Sequence, residues 1–455
     1  MARPERPFEP PRPAIPEREL SWHRLLAVLR TNALEMWPAR AYEEELLVQR
    51  FFGRQRLLLN TADGIKQVLV DNAANYRRSP ATIRILRPIV GRGLFLSDGE
   101  DWKLQRRIIA PALAPRVIPL LSRHIAEVGR ETLTRLAAMA AEPVDLLAVL
   151  QLLALEVAGR SMFSLEMARH GPALRRMIAE FGASLARPYL FDMLLPAWWP
   201  TLRDLARRRF QRRWAGLMDG IIEQRLRAPA AEAPRDLFDL LRAARDPETG
   251  KAFSPAELRD QVSTMIVAGH ETTALALFWS LYLLASAPAI QDRLAEEAAA
   301  VEITPDSAGE TPPRLPYARA VVSEALRLYP PAFLIVREAV GTDEHRGIAI
   351  PPGSLVLIAP WLLHRHRRLW RDPDAFDPAR FLEPAPPPPR FTYLPFGAGP
   401  RVCVGAQFAL AEATLILAMT IRRFRVARAD AAPVRPVAVV TTQPDHPAMF
   451  RLAPR

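Results

Sequence analysis

The chain of 455 residues has a single cysteine, Cys403. One cysteine excludes an intramolecular disulfide, and it excludes zinc or iron–sulfur sites built from several cysteines. Lysine is almost as scarce, since it occurs only at Lys66, Lys103 and Lys251. The net charge of +12 is therefore carried by arginine. We attribute this skew to a genome-wide coding bias, and we expect no nucleic-acid partner.

The N-terminus lacks an apolar segment. Its first residues, MARPERPFEPPRPAIPEREL, contain no stretch typical of a signal peptide or a transmembrane anchor. One long apolar stretch, residues 262–285, carries His270, Glu271, Thr272 and Thr273 near its middle. Such polar groups favour a buried helix of a water-soluble core over a lipid-facing helix. We therefore expect a cytoplasmic protein without a transmembrane anchor.

The distribution of apolar residues predicts a mainly α fold with a small β portion. Residues 100–313 follow a helical pattern broken by proline and glycine, whereas short apolar runs and turns after residue 329 are typical of strands. Residues 73–97 show no regular period, and we expect them to be irregular. The composition, 49% hydrophobic and 24% charged, suits a globular chain. We predict one domain over residues 17–455, preceded by an extended, weakly ordered proline-rich segment at residues 1–16.

The segment around the cysteine carries the strongest chemical signal. Two glycines and a proline predict a tight loop, and a helix is predicted to follow. Backbone N–H groups at that helix start favour a thiolate, although a lone cysteine is more often a small buried hydrophobic residue. A single thiolate suits one axial position of a haem. The segment reads Phe396-Gly397-Ala398-Gly399-Pro400-Arg401-Val402-Cys403-Val404-Gly405.

This segment resembles the haem-binding loop of the cytochrome P-450 superfamily. The family pattern is F-x-x-G-x-R-x-C-x-G, and every fixed position is filled. The resemblance implies the cytochrome P-450 fold, heme b as cofactor and Cys403 as the thiolate ligand of its iron. It also implies that Phe396, Gly397, Arg401 and Gly405 bind the cofactor.

A second motif lies in the central apolar helix, which reads AGHETT at residues 268–273. An acid beside a hydroxyl costs stability in an apolar helix unless it is paired or used, although such a threonine can also simply bond an upstream carbonyl. The family has (A/G)-G-x-(D/E)-T over the distal face of the haem. The resemblance implies that Glu271 and Thr272 are catalytic and deliver protons to dioxygen, and that Ala268 borders the cofactor. We interpret His270 as structural or solvent-facing.

Four further residues match positions that hold the haem propionates in the family. Trp102 and Arg106 are four apart, so they lie one above the other on a helix and can both donate to a carboxylate. Arg337 and Arg401 match the other propionate-binding arginines. Each arginine taken alone could equally be a surface residue.

A third pair, Glu324 and Arg327, has the spacing of an ion pair on one helix face. The family joins such a pair to a later arginine, which corresponds here to Arg380. The resemblance implies a structural Glu324–Arg327–Arg380 network.

The resemblance implies a monooxygenase that inserts one atom of O2 into a lipophilic substrate by hydroxylation or epoxidation. Electrons would come from NAD(P)H through a separate ferredoxin or flavodoxin with its reductase, and Lys103, Arg106 and Arg107 could present positive charge to that partner. Two alternatives stay open: a haem-thiolate peroxygenase or isomerase, and a non-catalytic haem gas sensor. The Glu271–Thr272 pair argues against the first, and the lack of an output segment argues against the second. We expect a monomer.

The segments that resemble the family's pocket linings are apolar and indicate a fatty acid or a terpenoid as substrate. An arginine among them could anchor a carboxylate, although exposed arginines are more common. The basic run from Arg207 to Arg213 could touch an anionic membrane, but a solvated helix face is the simpler interpretation. The residues considered are Arg84, Arg87 and Arg92 in residues 80–96, Trp198 and Trp199 in residues 185–202, and residues 332–336.

Overall fold

The computed structural model describes residues 8–51, 53–139, 142–164, 167, 170–195, 199–227 and 234–455. Within these ranges the chain is mainly helical, as predicted. The helices are α1 (Trp22–Thr31), α2 (Ala62–Lys66), α3 (Pro80–Val90), α4 (Gly99–Ile109), α5 (Ile118–Ala138), α6 (Leu146–Phe163), α7 (Gly171–Glu180), α8 (Leu190–Leu194), α9 (Leu202–Arg227), α10 (Leu237–Ala243), α11 (Pro255–Ala285), α12 (Pro288–Ala299), α13 (Pro316–Leu328), α14 (Pro360–Leu363) and α15 (Ala406–Arg423).

The strands are short and form a minor part of the fold. They are β1 (Leu46–Phe51), β2 (Arg54–Leu59), β3 (Tyr76–Arg78), β4 (Val144–Asp145), β5 (Ile335–Ala339), β6 (Asp343–His345), β7 (Ile348–Ile350), β8 (Leu355–Ile358), β9 (Phe424–Arg428), β10 (Pro436–Ala438), β11 (Thr442–Pro444) and β12 (Met449–Pro454).

The largest sheet in the described part has the strand order β1-β2-β8-β5-β3. Its neighbours are antiparallel except β2 and β8, which run parallel. A three-stranded sheet, β4-β12-β9, and the hairpins β6-β7 and β10-β11 complete the β portion. The pairing of β3 with β5 sets Arg78 opposite Arg337, which matters for the site below.

The core is built around α11, a helix of 31 residues. Its start is fixed by a capping box, in which the Ser254 hydroxyl accepts from the Glu257 N–H and the Glu257 carboxylate accepts from the Ser254 N–H. Pro255 occupies the first turn, where a missing N–H costs nothing. The second half of α11 is almost entirely buried against α6, α13 and α15.

Apolar helices of membrane-spanning length occur in this core. In the described ranges, α6 is long and apolar enough to cross a bilayer, and α11 with α12 would make one span bent by 116°. The apolar window of α6 is 61% buried, and the helix packs against α5 and α11. This packing is typical of a helix in the core of a folded domain.

Two expectations about local structure need correction. Residues 73–97 contain the regular helix α3, because Ser79 caps its first turn and Pro80 stands at its start. Pro88 and the interspersed arginines hid its period. Of the proline-rich segment the structure describes residues 8–16, which form neither helix nor strand. They are hydrogen-bonded to the domain rather than loose: the Phe8 carbonyl accepts from the Phe376 N–H at 2.9 Å and the Pro11 carbonyl from the Tyr329 hydroxyl at 2.8 Å. The boundary after residue 16 stays a prediction.

Candidate functional site

The loop before α15 holds Cys403 through its backbone. The Cys403 N–H donates to the Phe396 carbonyl at 2.9 Å, which closes the loop around a short turn at residues 399–401. Gly399 has φ +72°, and a Cβ there would lie 1.9 Å from the Leu69 carbonyl oxygen. Only glycine allows that approach. Gly397, also at φ +72°, lies beside Ile335 of β5.

The thiol of Cys403 is accessible at the surface of this loop although protein surrounds most of it. Burial raises the pKa of the Cys403 thiol, and the Gly405 N–H and Arg106 counteract that rise only in part. The Gly405 N–H and Arg106 thus act towards the thiolate, in the direction expected from the sequence, while burial opposes them. A bound metal cation would supply the missing positive charge, because coordination deprotonates a thiol.

The middle of α11 opens towards a space rather than into packed side chains. Ala268 and Gly269 are exposed although the helix around them is largely buried, and a Cβ on Gly269 would meet nothing within 4 Å. Thr272 bonds back along the helix, its hydroxyl donating to the Ala268 carbonyl at 2.6 Å. Val404 and Phe408, just after the cysteine, pack against the core cluster that includes Ile266 of α11. The cysteine loop and this helix therefore border the same region.

Glu271 points to an element that the sequence analysis did not connect with it. Its Oε1 accepts from the Thr441 hydroxyl at 3.2 Å and from the Gln443 side-chain amide. Burial raises the pKa of Glu271, and these two hydrogen bonds oppose the rise. No sequence motif marks Thr441 or Gln443, because their partner lies 170 residues earlier in the chain.

His270 is buried, so the solvent-facing interpretation is wrong and the structural one holds. Neither ring nitrogen has a hydrogen-bond partner among the described residues. Burial, with a smaller contribution from Arg175, lowers the pKa of His270 to about 4. The ring is therefore neutral at neutral pH.

Three arginines converge beside the cysteine loop, and we call Arg78, Arg337 and Arg401 the cofactor-side cluster. Arg78 and Arg337 face each other across β3 and β5. Burial, followed by repulsion from the other two arginines, lowers the pKa of Arg78 to about 9. Burial and repulsion from Arg401 lower the pKa of Arg337 to about 10. Since guanidinium groups keep their proton, these shifts mark charges in an unfavourable environment.

The cofactor-side cluster has too little negative charge of its own. In the described structure one acidic side chain, Asp98, acts on all three arginines, and it contacts Arg401. The buried Nε of Arg78 has no hydrogen-bond partner. Sequence analysis missed Arg78, which stands in no motif and became visible only through its pairing with Arg337. A ligand with carboxylates would satisfy this cluster.

Trp102 and Arg106 lie on α4 next to the same loop. The Arg401 guanidinium stacks over the Trp102 ring at 4.6 Å from its centroid. Arg106 donates to the Val402 carbonyl at 2.9 Å, so in this structure it steadies the cysteine loop and adds positive charge near Cys403. The residues thus fit heme b, with a thiol for the iron and arginines for the two propionates. This donor set defines a haem-thiolate protein.

The structural network expected at Glu324 is present. Glu324 and Arg327, both completely buried, approach to 2.6 Å, and the Nε of Arg380 lies 3.5 Å from Glu324. Arg327 also donates to the carbonyls of His364, Pro373 and Ala375, so the network ties α13 to the loop before the cysteine segment.

A second buried group of charges lies between α3 and the α8–α9 segment. We call Arg84, Arg207, Asp192 and Asp204 the paired cluster. Arg207 and Asp192 form a bidentate pair at 2.6 and 2.8 Å, and Arg84 donates to Asp204 at 2.8 Å. Burial opposes the ionisation of Asp204, but hydrogen bonds from Arg84 and Thr201 prevail and lower its pKa to about 2.

Arg84 also donates to the carbonyls of Phe191 and Trp199, so four of its five N–H donors are engaged. Arg87 and Arg92 are exposed. Trp198, which the sequence analysis placed near the substrate, lies outside the described residues.

The cations expected to meet a redox partner are engaged within the chain. Lys103 pairs with Glu100 at 2.7 Å, and Arg107 pairs with Asp246 at 2.7 Å. With Arg106 turned towards Val402, these three residues offer less free positive charge than the sequence suggested.

Comparisons with known proteins agree with this site. A sequence model described as Cytochrome P450 matches residues 37–447. Cyclooctatin synthase of Streptomyces melanosporofaciens is 37% identical, over 82% of this chain and 81% of its own. Cyclooctat-9-en-7-ol 5-monooxygenase of the same organism is 33% identical, over 75% of this chain and 74% of its own. The crystal structure of the cytochrome P450DA haem domain superposes with a TM-score of 0.82, at 24% identity and 98% coverage of both chains.

The chain belongs to the cytochrome P450 family. It has the fold of that family, its cofactor is a haem whose iron takes a thiolate ligand, and it is a monooxygenase.

Proposed function

We propose that Cys403 is the thiolate ligand and that the cofactor-side cluster binds the haem propionates. The haem, when bound, supplies the activation of dioxygen. Ala268 and Gly269 leave open space beside α11, while Glu271 would hold and release a proton near Thr272. In Cys403→Ser we expect the ferrous–CO spectrum to lose its thiolate type, and an unchanged spectrum would refute the ligand assignment.

We further propose that the substrate is a neutral lipophilic molecule of the terpenoid kind rather than a fatty acid. The observation that carries this proposal is the engagement of Arg84 by Asp204 and two carbonyls. Arg84 directs four of its five N–H donors to these partners, and Asp204 balances its charge, so it offers little to a substrate carboxylate. A buried carboxylate without a partner is costly. The name of one relative, cyclooctat-9-en-7-ol 5-monooxygenase, denotes a neutral alcohol as that enzyme's substrate.

The remaining parts of the proposal concern partners and location. Electrons come from NAD(P)H through a ferredoxin or flavodoxin and its reductase, and the protein acts as a cytoplasmic monomer. Product formation that requires both NAD(P)H and the added redox proteins would separate this function from a peroxygenase, an isomerase or a gas sensor.

The test of the substrate class uses two matched pairs of ligands. Geranylgeraniol is compared with geranylgeranoic acid, and hexadecan-1-ol with hexadecanoic acid, each titrated into the ferric haem protein while the Soret band is followed. The members of a pair differ at one end only, by an alcohol against a carboxylate. We expect low-to-high spin shifts with the alcohols at concentrations at least about tenfold lower than with the acids, because the acids must give up hydration without gaining a cation.

Tighter binding of both acids would overturn the neutral-substrate proposal. In that case Arg87→Gln and Arg92→Gln, each at an exposed position, would show which of these two arginines anchors the carboxylate. Arg84 is unsuitable for this purpose because its loss would disrupt the paired cluster.

A further inference from the structure

The β10–β11 hairpin brings two polar side chains to α11, the helix that carries Glu271. Thr441 precedes β11 and Gln443 lies within it, and both donate to the same oxygen, Oε1 of Glu271. The Gln443 amide also donates to the Thr441 hydroxyl at 3.2 Å, so the two donors steady each other. Among the described residues, no donor contacts the other carboxyl oxygen, Oε2.

The residue between them anchors the hairpin to the core. Thr442 is completely buried, and its hydroxyl donates to the Pro330 carbonyl at 2.7 Å. Its carbonyl accepts from the Trp279 indole N–H at 2.9 Å, and Trp279 belongs to α11, the helix that carries Glu271. Adjacent residues of an extended chain point to opposite sides, so this anchoring directs Thr441 and Gln443 to the side opposite Thr442, towards Glu271.

Both donors are neutral, so they can hold Glu271 in its protonated and in its ionised form. A cation at this place would hold Glu271 in its ionised form. A hydroxyl and an amide can instead donate to Oε1 in either protonation state, since a neutral carboxyl keeps its carbonyl oxygen as an acceptor. The proton can therefore come and go on Oε2 without disturbing the two bonds to Oε1.

We propose that Thr441 and Gln443 are positioning residues that hold Glu271 by Oε1 and leave Oε2 to carry the proton. In each cycle Oε2–H gives its proton to a water molecule on the Thr272 side, the carboxylate keeps both hydrogen bonds, and a proton from bulk water returns to Oε2. This inference rests on the proposed role of Glu271 as a proton donor. It extends the site from α11 to a hairpin near the C-terminus.

The first test is an infrared measurement on the ligand-free haem protein. The carboxyl C=O band of protonated Glu271 is identified as the band that Glu271→Gln removes. We expect this band to move to higher frequency in Gln443→Met and in Thr441→Val, because each substitution removes a donor to Oε1 at nearly constant side-chain volume. Thr441→Ser keeps the hydroxyl, so its band should stay at the native frequency. A band that neither variant moves, or no band lost in Glu271→Gln, would overturn the proposal.

The second test measures peroxide released per NADPH oxidised, with a ferredoxin, its reductase and geranylgeraniol as probe. We expect Gln443→Met and Thr441→Val to raise the peroxide yield several-fold and Thr441→Ser to leave it near native. In a Glu271→Gln background, Gln443→Met should not raise the yield further.

A raised yield in Glu271→Gln with native yields in both hairpin variants would refute the positioning role alone. A native yield in Glu271→Gln would instead refute the proposed function of Glu271. Should Gln443→Met fail to fold, the Thr441→Val and Thr441→Ser pair carries both tests.

Discussion

The two arginine clusters are built from the same residue type and differ in how their charge is balanced. In the paired cluster, two buried arginines meet two aspartates and several carbonyls at hydrogen-bonding distance. In the cofactor-side cluster, three arginines face Asp98 and otherwise repel one another. Burial of a charge is tolerated only when a partner satisfies it. The charges of the first cluster are therefore balanced within the fold, although the buried Nε of Arg207, like that of Arg78, has no hydrogen-bond partner among the described residues. The second cluster lacks such a balance of charge and is suited to an anionic ligand.

The difference shows how a ligand site can be told from a structural ion network without a bound molecule. The sequence left open whether either group binds a ligand. Arg84 was considered as an anchor for a fatty acid, although an exposed arginine was the more common case, and Arg337 matched a propionate-binding position. The balance of charge around each arginine separates the two roles. The variants below test whether the paired cluster stabilises the fold and the cofactor-side cluster binds the haem.

The largest effect is expected from Arg207→Met in the paired cluster. This substitution leaves Asp192, which is 3% exposed, without its bidentate partner. We expect the free energy of unfolding to fall by about 3–5 kcal/mol in a denaturant titration. Arg208→Met, one position along on the exposed face of α9, serves as the control and should change it by less than about 0.5 kcal/mol. Equal effects of the two variants would mean that the paired cluster is not a structural network.

Arg337→Met in the cofactor-side cluster should show the opposite pattern. Haem affinity should fall by roughly 10- to 100-fold, since a charge-assisted hydrogen bond contributes about 1.5–3 kcal/mol. The free energy of unfolding of the apoprotein should stay the same or rise, because a repelling charge is removed. Haem transfer to apomyoglobin and denaturant titration of the apoprotein measure the two quantities. A loss of several kcal/mol in the apoprotein would show that this cluster, too, is balanced within the chain.

A smaller effect is expected for Arg78, and its neighbour provides the control. Arg77 adjoins it on β3 but is exposed and pairs with Glu338 at 2.6 Å. We expect Arg78→Met to weaken haem binding about tenfold, the loss of a charge-assisted hydrogen bond. Arg77→Met should leave haem binding unchanged, because Arg77 lies on the opposite face of β3 and pairs with Glu338 rather than with the cofactor-side cluster. If both variants weakened haem binding alike, the pairing of Arg78 with Arg337 would have no bearing on the cofactor.

The sequence predicted the parts of this fold and site that depend on local pattern. The helices α9 and α11 lie within residues 100–313, where the pattern predicted helices, and α15 begins just after the cysteine loop, where a helix was expected. The loop around Cys403 was recognisable because its glycines, proline and arginine are adjacent in the chain. These features need no information about distant contacts.

The remaining features depend on tertiary contacts. Arg78 gains its role from pairing with Arg337, and Glu271 meets Thr441 and Gln443 only in the fold. The engagement of Arg84 likewise requires α3 to lie against the α8–α9 segment. Each of these contacts joins positions more than a hundred residues apart, so no local motif announces it.

The central claim is that the cofactor-side cluster binds the two carboxylates of the haem. The most direct measurement compares the affinity of the apoprotein for haem and for haem dimethyl ester, in which both propionates are esterified. We expect the ester to bind at least roughly 100-fold more weakly to the native chain, and the ratio to shrink in Arg337→Met and Arg78→Met, because two charge-assisted contacts are lost. Equal affinities for haem and its ester would contradict the claim.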